Sequence, residues 1–195
     1  MELIPIISLK NNKIIDENIS VDNISQYFKE EEKIYVLDLD GIDKNKPNLC
    51  LYQKLSDSYD LWVDSGPRRL GDIVDDFMEG ANSVTVRRAL FPRLEIFKIK
   101  EISENKIFVN LDFKDLDALD EYDLYLLDSD GVVNLNNKEK IEREPKYIEK
   151  LKKIKTKNKI YCYEVNKENK YFWQQLNVDG LLVDVKNIKE FKNGF

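Results

Sequence analysis

The chain has 195 residues, 42% of them hydrophobic and 11% aromatic, and a formal net charge of −6. This length supplies one sizeable core and is short for two, so a single domain over residues 1–195 is expected. The acidic balance and the lack of a long basic block exclude the electrostatic footprint of a nucleic-acid binder, and no apolar stretch approaches the roughly 20 residues of a membrane span.

Eight short apolar runs recur along the chain, with helix-like polar segments between them. "LIPIISL" starts at residue 3, "KIYVLDL" at 33, "DLWVDSG" at 60, "SVTVRRAL" at 83, "KIFVNLDF" at 106, "DLYLLDSD" at 123, "KIYCYEV" at 159 and "DGLLVDV" at 179. Continuous runs of this kind suit parallel strands buried on both faces. Between the third and fourth, "LGDIVDDFMEG" predicts a helix with Leu70, Ile73, Val74, Phe77 and Met78 on one face and Gly80 as its stop. "KDLDALDEYD" has room for only a turn or two of helix. "EPKYIEKLKKIK" starts with Pro145 in its first turn and carries Tyr147, Ile148, Leu151 and Ile154 along a stripe. The lysine-rich run that follows is the solvated face of that helix. "KENKYFWQQLN" is similar, with Tyr171, Phe172 and Leu176 expected to pack, and Trp62 and Trp173 are expected in the core. Strands alternating with crossover helices form right-handed βαβ units. Eight such units predict an α/β fold: a compact (β/α)8 TIM barrel built from two half-barrels, with shortened helices, since such barrels usually need about 250 residues. An open doubly wound sheet is the competing architecture.

No histidine occurs anywhere, which removes the commonest general base, the histidine-dependent nucleophile systems and most zinc sites. Acid–base chemistry must then use carboxylates or, less often, Lys, Tyr or Cys. The aspartates of "DLDG" and "DSDG" do not continue into a calcium loop, so no metal and no cofactor is expected. The N-terminus enters a strand pattern instead of a signal sequence, and Cys50 and Cys162 are far apart, which together predict a cytoplasmic protein.

One phrase is written twice: "YVLDLDG" from residue 35 and "YLLDSDG" from residue 125. With "IPIISLKNNKII" at the start, "VDSGPRRLGDIVDDFMEGANSVTVRRAL" in the middle and "FVNLDFKD" after it, these stretches resemble, in order and spacing, the ProFAR isomerase and imidazole glycerol phosphate synthase cyclase family of histidine biosynthesis. The likeness fades after Gly131. It implies a sugar-phosphate barrel whose second and sixth strands carry the doubled phrase. In ProFAR isomerase, aspartates after the first and sixth strands act as base and acid, with another carboxylate ending the fifth. Carried over by position, this implies Asp112 and Asp130 as catalytic carboxylates, while Ser8 stands at the position of the first-strand aspartate. Serine has no accessible basic form near neutral pH and offers only a hydrogen bond. The more modest reading of Asp38 and Asp128 is helix capping or loop support.

The family's first phosphate site maps onto Gly66 and its surroundings. There Arg68, Arg69, Arg87 and Arg88 fall in two pairs just past adjacent strands, in a chain that otherwise favours lysine. Guanidinium forks match phosphate or carboxylate bidentately, so an anion site is expected, against the alternative that these arginines pair with acids such as Asp64 and Asp72. The second site has lost its glycines. The expected ligand is a small phosphorylated or carboxylated metabolite, acted on by an isomerase or lyase or bound by a catalytically inactive relative that holds a metabolite or a partner protein. The sequence does not decide the oligomeric state.

Overall fold

The structure is a computed structural model describing residues 1–16, 18–92, 96–119, 128–135, 138–163 and 166–192. Nine strands form one sheet: β1 (Glu2–Lys10), β2 (Lys13–Ile14), β3 (Lys33–Asp38), β4 (Asp60–Asp64), β5 (Ala81–Arg87), β6 (Lys106–Leu111), β7 (Gly131–Asn134), β8 (Lys159–Tyr163) and β9 (Gly180–Asp184). Eight of them pair in parallel, in chain order, and β9 pairs back onto β1 with Gly180 opposite Glu2 and Val183 opposite Pro5. The ring is therefore closed, and the fold is a (β/α)8 barrel. β2 is a hairpin return on β1, with Asn11 and Asn12 both in the left-handed backbone region that a tight turn requires.

The barrel is small because its connections are small. Among the described residues the helices are α1 (Leu39–Lys44), α2 (Leu49–Ser56), α3 (Leu70–Met78), α4 (Ile96–Lys100), α5 (Phe113–Ala118), α6 (Lys138–Arg143), α7 (Pro145–Lys155), α8 (Lys170–Gln175) and α9 (Ile188–Lys192). The longest has 11 residues, and between β2 and β3 the described residues hold only a 3-10 turn at Ile24–Gln26.

Two cores share the same strands. Outward side chains such as Val36, Leu61, Val84, Val109 and Leu181 meet the helices, with Trp173 and Phe191 fully buried among them. Inward side chains fill the ring: Ile4, Ile6, Tyr35, Trp62, Phe108, Val133, Tyr161 and Leu182. Trp62 lies 4.0 Å from the Phe108 ring and 4.8 Å from Tyr161, the latter edge-on, so the interior is a packed plug and not a channel.

Three expectations change. The sixth strand is Gly131–Asn134, not the run at 123–130: Asp128 to Asp130 form bends that lead into it, and residues 123–127 lie outside the described residues. On α3, Met78 is 77% exposed, Leu70 is exposed as well, and the buried residues are Ile73 and Asp76, so the packed face is narrower than the five-residue stripe. Tyr171 is 69% exposed, while Trp173 is fully buried and Phe172 and Leu176 pack against the outer core as expected.

Candidate functional site

Alternation along each strand decides which side chains enter the ring. Trp62 points inward, so Asp64, two residues on, enters at the carboxyl end of β4, and Arg87 enters from the end of β5. Arg87 grips Asp64 from the side: Nε donates to Oδ1 at 3.0 Å and Nη2 to Oδ2 at 2.8 Å. The Tyr35 hydroxyl donates to Asp64 Oδ2 at 3.0 Å, and Thr85 Oγ1, which accepts from Trp62 Nε1 at 2.8 Å, lies 3.3 Å from the same hydroxyl. The Asp64 side chain is wholly buried, whereas that of Arg87 keeps 23% of its surface exposed at the mouth. Burial alone would lower the guanidinium pKa, but the charge and hydrogen bonds of Asp64 more than offset it and raise it above its ordinary value. Burial, and then the Asp64 charge, push the Tyr35 hydroxyl well up, so it stays a proton donor.

On β6, Phe108 belongs to the interior plug and Asn110 is the next inward residue. It stands in register between Arg87 of β5 and Val133 of β7. Asn110 is 3% exposed, and its Nδ2 has no hydrogen-bond partner. Ser8 is the inward residue at the end of β1, half-buried and in register with Leu37, which packs on the plug. Ser8, Asp64, Arg87 and Asn110 thus share the rim formed by the strand carboxyl ends.

Asp112 is at that rim as well, one residue past β6, and caps α5. Its Oδ1 accepts from Asp115 N at 2.9 Å, while Asp115 Oδ2 accepts from Asp112 N at 3.1 Å, a reciprocal capping box. Burial and the facing Asp112 charge raise the Asp115 carboxyl.

Asp130 does not join them. It precedes β7 and therefore sits at the amino-terminal rim, across the barrel from Asp112. Its Oδ2 accepts from Ile107 N at 2.7 Å and from Lys100, and its own N–H donates to Ile107 O at 2.8 Å. The same arrangement recurs two strands later: Asp179 Oδ2 accepts from Ile160 N at 2.7 Å and from Lys155, and Asp179 N donates to Ile160 O at 2.8 Å. In both cases the following glycine leaves room for the neighbouring strand, since a Cβ would stand 2.7 Å from Lys159 O at Gly131 and 2.8 Å from the Tyr161 ring at Gly180. Asp130 is a staple between strand starts. The doubled phrase falls on opposite rims, because "DLDG" follows its strand and "DSDG" precedes one; the positional repeat is "DGVV" with "DGLL".

The proposed anion residues divide in the same way. Gly66 holds φ +65°, and a Cβ there would lie 2.9 Å from the Ile42 backbone, so its glycine is required by the turn and by α1 packing against it. Arg68 Nη2 donates to Ile42 O at 2.8 Å. Arg69 Nε donates to Asp72 Oδ1 at 2.7 Å from a side chain that is 77% exposed. Arg88 is half-buried, and its charge opposes the rise of the Asp115 carboxyl. Arg87 reaches the mouth, and its fork is turned toward Asp64. The acids flanking the arginines, Asp64 and Asp72, have taken Arg87 and Arg69.

Asp38 is the N-cap of α1: its carboxylate accepts from Gly41 N at 3.0 Å, Asn48 N at 2.6 Å, Asn48 Nδ2 at 2.7 Å and the Tyr52 hydroxyl. Four donors leave it no chemistry to do. Asp40 accepts from Lys44 Nζ at 2.8 Å and from Asn11 N, tying the first hairpin to α1. Cys50 is exposed, Cys162 is buried, and they form no disulfide. Among the described residues no group of three or more His, Cys, Asp or Glu could hold a metal ion, and no helix is long and apolar enough to cross a membrane. Sequence reasoning missed Asn110 as a site residue. Its signal was available: a polar side chain at an inward position of "IFVNLDF", on the same alternation as Phe108. No protein-family model matches the chain, and no curated protein matches it.

Proposed function

We propose that this chain is a divergent relative of the ProFAR isomerase and cyclase family that binds a small anionic metabolite at the carboxyl-end mouth without running the family's acid–base reaction. One observation carries the reading: Asp130, the residue matched to the catalytic acid, is at the far rim and tied to Lys100 and Ile107. A base and an acid must reach the same bound molecule within hydrogen-bond distance, and two carboxylates on opposite ends of a packed plug do not. Ser8 supplies no carboxylate in their place. What supports anion binding is Arg87 at the mouth, beside a buried, unpartnered amide.

Retained isomerase or lyase activity would have to rest on Asp112, whose Oδ2 is outside the capping box. Incubation with sugar phosphates and small carboxylates, followed by thermal shift and by NMR of the added compound, separates the two. The binding reading expects stabilisation without conversion. Conversion that disappears in Asp112→Asn would overturn it and establish an enzyme.

A further inference from the structure

We infer that the mouth recognises a carboxylate group, not a phosphate, through two adjacent donors: Asn110 Nδ2 and Arg87 Nη1. The inference rests on the proposed binding of an anionic metabolite and names the group that is read. Asn110 is 97% buried by its 3% exposure, yet its amide nitrogen has no acceptor within the protein. A donor withdrawn from water without an acceptor is a standing cost, and a ligand oxygen removes it. Its register neighbour Arg87 gives Nε and Nη2 to Asp64, which leaves Nη1 for an incoming group. Adjacent strands lie about 4.8 Å apart, so Arg87 and Asn110 leave neighbouring backbone positions on the same inward face.

Charge decides between the candidate anions. Asp64 is fully buried and already cancels the Arg87 charge, so this part of the mouth presents two donors with no net positive charge. A dianionic phosphate placed against the Asp64 carboxylate, over a floor of Trp62 and Phe108, would meet stronger repulsion at low dielectric than a singly charged group. A carboxylate carries a single charge and offers two coplanar oxygens to two donors.

The test uses the whole chain with pyruvate and inorganic phosphate as probes, at matched ionic strength. Pyruvate should raise the Tm of the wild type in a dose-dependent way, with phosphate doing less. Asn110→Leu, with the same branched four-atom shape and without the orphan donor, should have a higher Tm than wild type in the absence of ligand and lose the pyruvate response. In the wild type itself, the Asn110 side-chain amide resonances should move on adding pyruvate, a readout that needs no variant. Asn110→Leu with a lowered ligand-free Tm, or with an intact pyruvate response, would overturn the inference by showing the amide to be structural or uninvolved. A larger shift with phosphate than with pyruvate would overturn the carboxylate assignment while sustaining the anion-binding reading. No shift with either probe would sink both.

Discussion

Asp76 projects from α3 toward the end of β4, where Ser65 Oγ donates to its Oδ2 at 2.6 Å and its Oδ1 has no hydrogen-bond partner. Burial pushes this carboxyl up to about 8; the Ser65 hydrogen bond opposes the rise, and Asp38, Asp72 and Asp64 add to it. In an unfolded chain the same group titrates near 3.9. Between those values the folded state binds more protons than the unfolded one, so stability falls as pH rises from about 4 to about 8, by up to about 1.4 kcal/mol per pH unit. Asp76→Asn removes this titration. Its Tm advantage over wild type should be small at pH 4 and largest near pH 8, as read by calorimetry across that range; an offset independent of pH would show that Asp76 does not titrate there. Asp112 makes a second residue-scale case. Asp112→Ala loses the α5 cap and should cost about 1 kcal/mol in urea unfolding. A cost near zero would mean that the capping box is not formed in solution.

At the scale of elements, the amino-terminal rim is held by a device used twice, Asp130 on Ile107 and Asp179 on Ile160. Asp130→Ala leaves the Ile107 N–H without its acceptor and should cost about 1–3 kcal/mol. Asp179→Ala should cost a similar amount, and the double variant should be additive within about 0.5 kcal/mol because the two staples share no partner. Neither change should alter anion binding at the opposite rim; loss of binding in Asp130→Ala would contradict the rim assignment. These staples mark where reading the sequence succeeds and where it stops. Seven of the eight strands lie where their apolar runs predict, since a strand buried on both faces must be apolar throughout. The remaining one slipped because "YLL" and "VV" are equally apolar, and only the Asp-Gly that opens both β7 and β9 distinguishes a strand start from a strand end. That slip moved Asp130 from one rim to the other, so a displacement of a few residues removed a catalytic assignment. The pairing of the arginines with Asp64 and Asp72 was legible as the alternative to an anion site, and the order of strands around the ring, which sets β5 beside β4, decides for it at Arg87.

Over the whole molecule, closure by β9 on β1 leaves the barrel ring without a free edge and makes both cores depend on the same eight strands. Trp62 reports from inside the ring and Trp173 from the shell between strands and helices, and both are buried. Single-tryptophan variants, Trp62→Phe and Trp173→Phe, should therefore give fluorescence unfolding curves that each match the loss of helical circular dichroism of the same variant in urea. Separate midpoints within one variant would mean that the two cores unfold independently. The mouth inherits its chemistry from this closure. The ring brings Ser8, Asp64, Arg87, Asn110 and Asp112 to one rim and excludes Asp130, which supports binding over proton transfer.

The most direct test is an amide-resolved NMR titration of the wild type with pyruvate and with ribose 5-phosphate, watching the protein and the added compound in the same samples. Resonances of Ser8, Arg87, Asn110 and Asp112 should shift with pyruvate, and less with ribose 5-phosphate, while those of Asp130 and Asp179 stay fixed, and the spectrum of the added compound should be unchanged over time. Conversion of the compound, or shifts gathered at the Asp130 rim, would contradict the account.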